Sequence, residues 1–147
     1  MRQVLYAMQF KGSGGPTEEP NVLQAATSSP SSQVTSIVGA SGLGTRIEPA
    51  QGQDASFTSE VRLTGDTSFT ETGKIVFGGG SSLTFSTIGE GYLAPSPEDG
   101  LNHGAVMWRV ESGEGQFAGA SGIITSNFTF SAQGEVIDNQ FGLIWVK

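Results

Sequence analysis

The stretch from Phe57 to Thr87, FTSEVRLTGDTSFTETGKIVFGGGSSLTFST, decides how this chain is read. It holds three short runs rich in β-branched and aromatic residues, separated by Thr64–Thr67 and by Gly78-Gly79-Gly80. Such punctuation marks strands joined by tight turns. Side chains alternate between faces along a strand, so the register of pairing decides what lies inside. Pairing Leu63 with Phe69 sets Val61 against Glu71, Ser59 against Gly73 and Phe57 against Ile75. Pairing Phe77 with Ser81 sets Ile75 against Leu83, Gly73 against Phe85 and Glu71 against Thr87. Both registers gather Phe57, Val61, Leu63, Phe69, Ile75, Phe77, Leu83 and Phe85 on one face, and leave Thr58, Glu60, Arg62, Thr70, Thr72, Lys74 and Thr84 on the other.

Glu71 breaks this pattern, because it stands on the apolar face. Burying a carboxylate costs roughly several kcal/mol unless it is paired, hydrogen-bonded or protonated. Its predicted neighbours, Ser59 and Gly73, are small, which leaves the wall beside it hollow. An inert polar residue near a wet rim accounts for the same pattern, and a one-residue bulge would turn Glu71 outward.

Outward from this core, the same signals place strands at 3–11, 33–48 (bent near Gly39–Gly44), 55–64, 69–77, 81–90, 104–111, 121–131 and 135–146. Residues 12–32, with Pro16, Pro20 and Pro30, and residues 91–103 read as two long loops. No segment has the 3.6-residue period of a helix. Eight strands in series without crossover helices predict one domain, 1–147, folded as an all-β, eight-stranded antiparallel up-and-down barrel. A β-sandwich is the alternative.

Composition narrows the function. The chain has no cysteine, so disulfides and thiolate chemistry are excluded, and its single histidine excludes a site built from several. Seven basic residues against 14 acidic give a net charge of −7, with no basic stripe to track phosphates, so nucleic acid is not an expected partner. No apolar run approaches the ~18–20 residues of a membrane span, and residues 1–6 enter a strand pattern without an apolar leader, so a cytoplasmic location is expected. Gly39–Gly44 and Gly113–Gly119 resemble nucleotide-binding loops only in glycine content, since neither opens a helix. No H-x-x-E-H or H-E-x-x-H motif is present, so no metal is expected, although carboxylates alone could bind one without any sequence signal.

For the last hairpin a two-residue turn at Gln133-Gly134 is expected. It sets Phe130 against Ile137, Phe128 against Asn139, Ser126 against Phe141 and Ile124 against Leu143. Asn139 then joins Glu71 inside, while Asp138 and Gln140 fall outside with an apolar stripe of Ile123, Ile144 and Val146. That stripe suggests an oligomer contact. Following strand direction, both long loops share one rim with Glu71, Asn139, Glu90, Tyr92 and His103. Long loops and inward polar residues at one mouth mark a ligand site. Glu71, Asn139 and His103 are therefore the candidate catalytic residues, with His103 a candidate proton shuttle for a ligand in the mouth. Tyr92, Trp108, Phe85, Phe128, Phe141, Ser126 and Glu90 are the candidate substrate-binding residues, although Trp108, between Val106 and Val110, fits a core position better.

Residues 108–122, WRVESGEGQFAGASG, and the following strand ITSNFTF resemble the C-terminal half of the allene oxide cyclase-like barrels, a group that includes dirigent proteins. The matching feature is strand, then G-x-G-x-F-x-G-x-x-G at Gly113, Gly115, Phe117, Gly119 and Gly122, then strand, with Phe117 plugging the barrel end. The resemblance covers residues 104–146. It implies an eight-stranded barrel with an apolar cavity, often dimeric or trimeric, whose characterised members steer cyclisation or coupling of small molecules without a cofactor. The expected function is a cofactor-independent isomerase, cyclase or lyase acting on a small, mostly apolar molecule. A non-catalytic carrier of such a ligand, or an oligomeric structural module with a packed interior, is the rival reading.

Overall fold

The computed structural model describes residues Met1–Lys147. It has eleven strands: β1 (Arg2–Pro16), β2 (Val22–Ser29), β3 (Ser32–Gly39), β4 (Gly42–Pro49), β5 (Ala55–Leu63), β6 (Ser68–Val76), β7 (Ser82–Thr87), β8 (Gly91–Pro95), β9 (Leu101–Glu114), β10 (Ser121–Ser131) and β11 (Glu135–Val146). The sheet closes as an eight-stranded antiparallel barrel in the order β1-β2-β5-β6-β7/β8-β9-β10-β11, with β11 returning to β1. Closure leaves no pair of exposed sheet edges in the main sheet. No helix is long and apolar enough to cross a membrane.

The deciding stretch folds as its pattern requires. Leu63 pairs with Phe69, Val61 with Glu71, Ser59 with Gly73 and Phe57 with Ile75, and Ile75 pairs with Leu83 and Gly73 with Phe85. The lower half of the barrel is a dense apolar core. Phe57 stacks on Phe85 with ring centroids 5.4 Å apart, Trp108 lies 4.4 Å from Phe85, and Ile75, Leu83, Ile124 and Ile144 are fully buried. Phe117, in a single 3-10 turn, closes that end against Phe77 at 5.5 Å. Gly115 makes the turn possible. Its φ is +64° and a Cβ there would meet the Ser81 backbone at 2.8 Å.

Three segments differ from expectation. The 12–32 segment is not a loop: β1 runs on to Pro16 and β2 supplies the second barrel strand, with only a short turn between them. Its prolines bracket a strand rather than interrupting one, since Pro16 and Pro30 sit at strand ends, where the missing N–H costs little. The 33–48 segment is not a barrel strand. It is the β3–β4 hairpin, a separate two-stranded sheet standing off the lower end, closed at its base by Ala50 N–H donating to Ser31 O at 2.7 Å. The 91–103 segment holds β8 and the start of β9. β8 continues the line of β7 beyond a break at Ile88–Glu90, where Gly89 takes a φ of +70°. The upper end, where β1 finishes, therefore carries short turns at 17–21, 64–67, 96–100 and 132–134 instead of two long loops.

Candidate functional site

The core does not fill the upper half of the barrel. Positions that face inward there are small: Gly14 on β1, Ala25 on β2, Ser59 on β5 and Ser126 on β10. They leave a cavity of about 70 Å³, roughly two waters' share of liquid volume. Phe57 and Trp108, the top of the aromatic core, lie at its floor, and Phe69, Leu93, Phe128 and Phe130 are among its walls.

Two carboxyl groups face this space, Glu71 from β6 and Asp138 from β11. Glu71 is buried, and its Oε2 accepts a 2.6 Å hydrogen bond from Ser59 Oγ. The cross-strand pairing of Ser59 with Gly73 puts that hydroxyl one step from the carboxyl, and Thr87 secures the local backbone by bonding both Glu71 N–H and Glu71 O. Burial pushes Glu71 up to about 8. The Ser59 bond opposes this, the negative field of Asp138 adds to it, and the Trp108 indole N–H opposes it weakly. That indole Nε1 reaches toward the carboxyl without closing a hydrogen bond of ordinary geometry, so it stands buried and unpartnered.

Asp138 is tied more fully. Ser126 Oγ donates to Oδ1, and Gln140 Nε2 donates to Oδ2 at 2.7 Å. Gln140 in turn accepts from Tyr6 Oη at 2.8 Å, which makes a continuous line from β1 through β11 to β10. Burial pushes Asp138 up to about 6, against the two hydrogen bonds that favour its charged form. Tyr6 is held well above its ordinary value, by burial first and by the charge of Asp138 second. Near neutral pH the cavity thus carries one proton between two carboxyls, held by Glu71, with Asp138 ionised.

Glu71, Trp108, Phe128 and Ser126 line this cavity. Phe85 lies beneath its floor, buried between Phe57 and Trp108, and does not line it. Asn139 and Phe141 lie outside, which corrects the expected register. The turn after β10 has three residues, Ala132-Gln133-Gly134, and Ser131 pairs across to Glu135 through its Oγ. Gly134, at φ +88°, supplies the left-handed residue this longer turn needs. One extra turn residue exchanges the two faces of β11. Phe128 therefore pairs with Asp138, and Ser126 with Gln140. Asn139 is exposed, bonded to Gln9 and to the Asn127 carbonyl, and Phe141 is half exposed. The expected outer stripe dissolves for the same reason: Ile144 and Val146 are buried and only Ile123 remains outside.

His103, Tyr92 and Glu90 are also corrected. All three are exposed; His103 and Tyr92 sit on the outer surface 6.4 Å apart, and Glu90 lies in the break between β7 and β8. The rim expected to carry them needs two long loops, and strands take the place of those loops. Asp138, Gln140 and Tyr6 are the residues of the site that the sequence pattern misses. The signal that reveals them is the implausible outward pair Ile144 and Val146, which a three-residue turn turns inward.

No three metal-binding side chains come together anywhere in the molecule. No family model matches the chain, and no curated protein and no solved structure matches it either.

Proposed function

We propose that the chain is a cofactor-independent isomerase or cyclase, or a lyase, for a small, mostly apolar molecule held in the upper cavity. The observation that carries this reading is a pair of carboxyls of unequal proton affinity facing one apolar space. Environments that push two titratable groups apart assign acid and base. Asp138, ionised at neutral pH, takes a proton from the substrate. Glu71, protonated, delivers one to a second atom, and exchange with water at the upper end resets both groups. The cavity restricts the ligand to few conformers, which lowers the entropic part of the barrier. The allene oxide cyclase-like resemblance supports the same class of chemistry, with Asp138 taking the place first given to Asn139.

A carrier barrel is the second reading. What favours it is that both oxygens of Asp138 already accept hydrogen bonds, which lowers its value as a base. Association into dimers or trimers is part of the proposal. Leu5, Phe141, Ile123 and Met107 all point outward on adjacent strands and are substantially exposed, an apolar face on which copies can meet.

The test is deuterium wash-in. The protein is incubated in D2O with small enolisable ketones, and loss of the α-proton signal is followed by NMR. Wild type accelerates exchange with a bell-shaped dependence bounded near 6 and 8, while Glu71→Gln and Asp138→Asn abolish the acceleration. Equal exchange in all three sinks the enzyme and leaves the carrier, for which native mass spectrometry of the purified chain identifies a retained ligand.

A further inference from the structure

The cavity contains two acids and no base. Among the residues that line it there is no lysine, arginine or histidine. The other charged side chains on the surrounding strands lie on the outer face or at the ends of the barrel: Arg2 and Lys11 on β1, Glu60 and Arg62 on β5, Lys74 on β6, His103, Arg109, Glu111 and Glu114 on β9, and Glu135 on β11. The molecule's two salt bridges, Arg62 with Glu19 and with Glu60, are also at the surface. Buried carboxyls are ordinarily paired with a cation. Glu71 and Asp138 have only each other.

The groups around Glu71 are nevertheless those that suit a carboxylate. Ser59 donates to Oε2, and the unpartnered Trp108 N–H is directed at the same group. No hydrogen bond reaches Oε1. The aromatic surfaces of Phe57, Phe69, Trp108, Phe128 and Phe130 enclose the remaining space, and aromatic faces attract cations when water is excluded.

We propose that the cavity binds a small organic monocation, a primary amine with a short apolar body, whose ammonium donates to Glu71 Oε1. This rests on the second reading above, a carrier of a small ligand in the upper cavity, and narrows the class of molecule that enters it. One positive charge takes the place of the proton that Glu71 gives up, so the net charge of the site is unchanged on binding. The bound ammonium converts Glu71 to its carboxylate form, and Trp108 Nε1–H then acquires the acceptor it lacks. Binding therefore releases a proton from Glu71. A volume of 70 Å³ restricts the ligand to about three non-hydrogen atoms, since benzene, with six, occupies an engineered cavity of about 150 Å³.

Three probes of similar size separate charge from shape: ethylammonium, ethanol and acetate. Isothermal titration at pH 7 in two buffers of different ionisation enthalpy measures both affinity and proton release. The expected result is ethylammonium binding at least tenfold tighter than ethanol, with no measurable binding of acetate and with close to one proton released per amine bound. Glu71→Gln removes the preference for amine over alcohol and the proton release, while Glu60→Gln, on the outer surface, keeps both. Thermal unfolding of each variant establishes that it is folded. Ethanol binding as tightly as the amine, with no proton released, overturns the cation proposal and leaves the apolar-ligand reading standing. Binding of none of the probes overturns both.

Discussion

Glu71 makes folding depend on pH in a direction opposite to that of most surface carboxylates. Its ordinary value of 4.5 in the unfolded chain rises to about 8 in the barrel, chiefly through burial. The folded state therefore holds this proton more tightly, so the group's contribution to stability is present at low pH and is lost as pH rises toward 8. Each tenfold gain in proton affinity on folding is worth about 1.4 kcal/mol. Between pH 6 and pH 9 this one group is expected to remove about 3 kcal/mol, a large share of the ~5–15 kcal/mol of a domain's total. Glu71→Gln keeps the shape and an acceptor for Ser59 but cannot ionise. At pH 6 the variant is expected within about 1 kcal/mol of wild type, and at pH 9 to exceed it by about 2 kcal/mol. Urea unfolding of both proteins across this pH range measures the difference, in which all titrations common to the two cancel. A difference that stays constant from pH 6 to pH 9 would refute the assignment of Glu71 to a dry, protonated site.

The neighbouring acid gives a second limb: Asp138→Asn is expected to remove about 2 kcal/mol of the fall in stability between pH 4 and pH 6, read from the same urea series. The register of β11 is tested by a pair of alanines. Ile144→Ala should cost about 2–4 kcal/mol and Asn139→Ala less than about 0.5 kcal/mol, with equal losses in thermal or urea unfolding contradicting the three-residue turn. At Gly73 an added Cβ would lie 2.3 Å from the Thr58 carbonyl and 2.7 Å from the Phe85 ring, so Gly73→Ala is expected to destabilise by about 1–3 kcal/mol; an unchanged midpoint would mean that β6 and the Phe85 ring yield there.

What is legible in the sequence is the local geometry of the centre. The alternation in 55–64, 69–77 and 81–90 has a single parity that buries its phenylalanines, so the register and the inward placement of Glu71 follow from the residues alone. The end of the chain is less determinate. On β11, Leu143 and Trp145 are as apolar as Ile144 and Val146, so hydrophobicity does not choose between the two parities and turn length decides. The turn Ala132-Gln133-Gly134 suits two or three residues, and the difference exchanges Asn139 for Asp138 in the cavity. Segment 12–32 is opaque for another reason. Its strands carry Gly12, Gly14, Gly15, Ala25 and Ala26, residues poor in β propensity, and they are strands because closing the barrel supplies their partners. The same small residues leave the lumen partly empty, so the feature that hides the strands also makes the site.

The β3–β4 hairpin gives the molecule a division of labour along its axis. β2 ends at Ser29 and β5 begins at Ala55, and these two residues pair directly with each other. The whole excursion between them is therefore a graft on a rung of the ladder that is already complete. It can lengthen, shorten or change its exposed Val38 and Leu43 tip without moving a side chain around Glu71. Variation at one pole of the barrel is uncoupled from the chemistry at the other, and each is free to drift at its own pace.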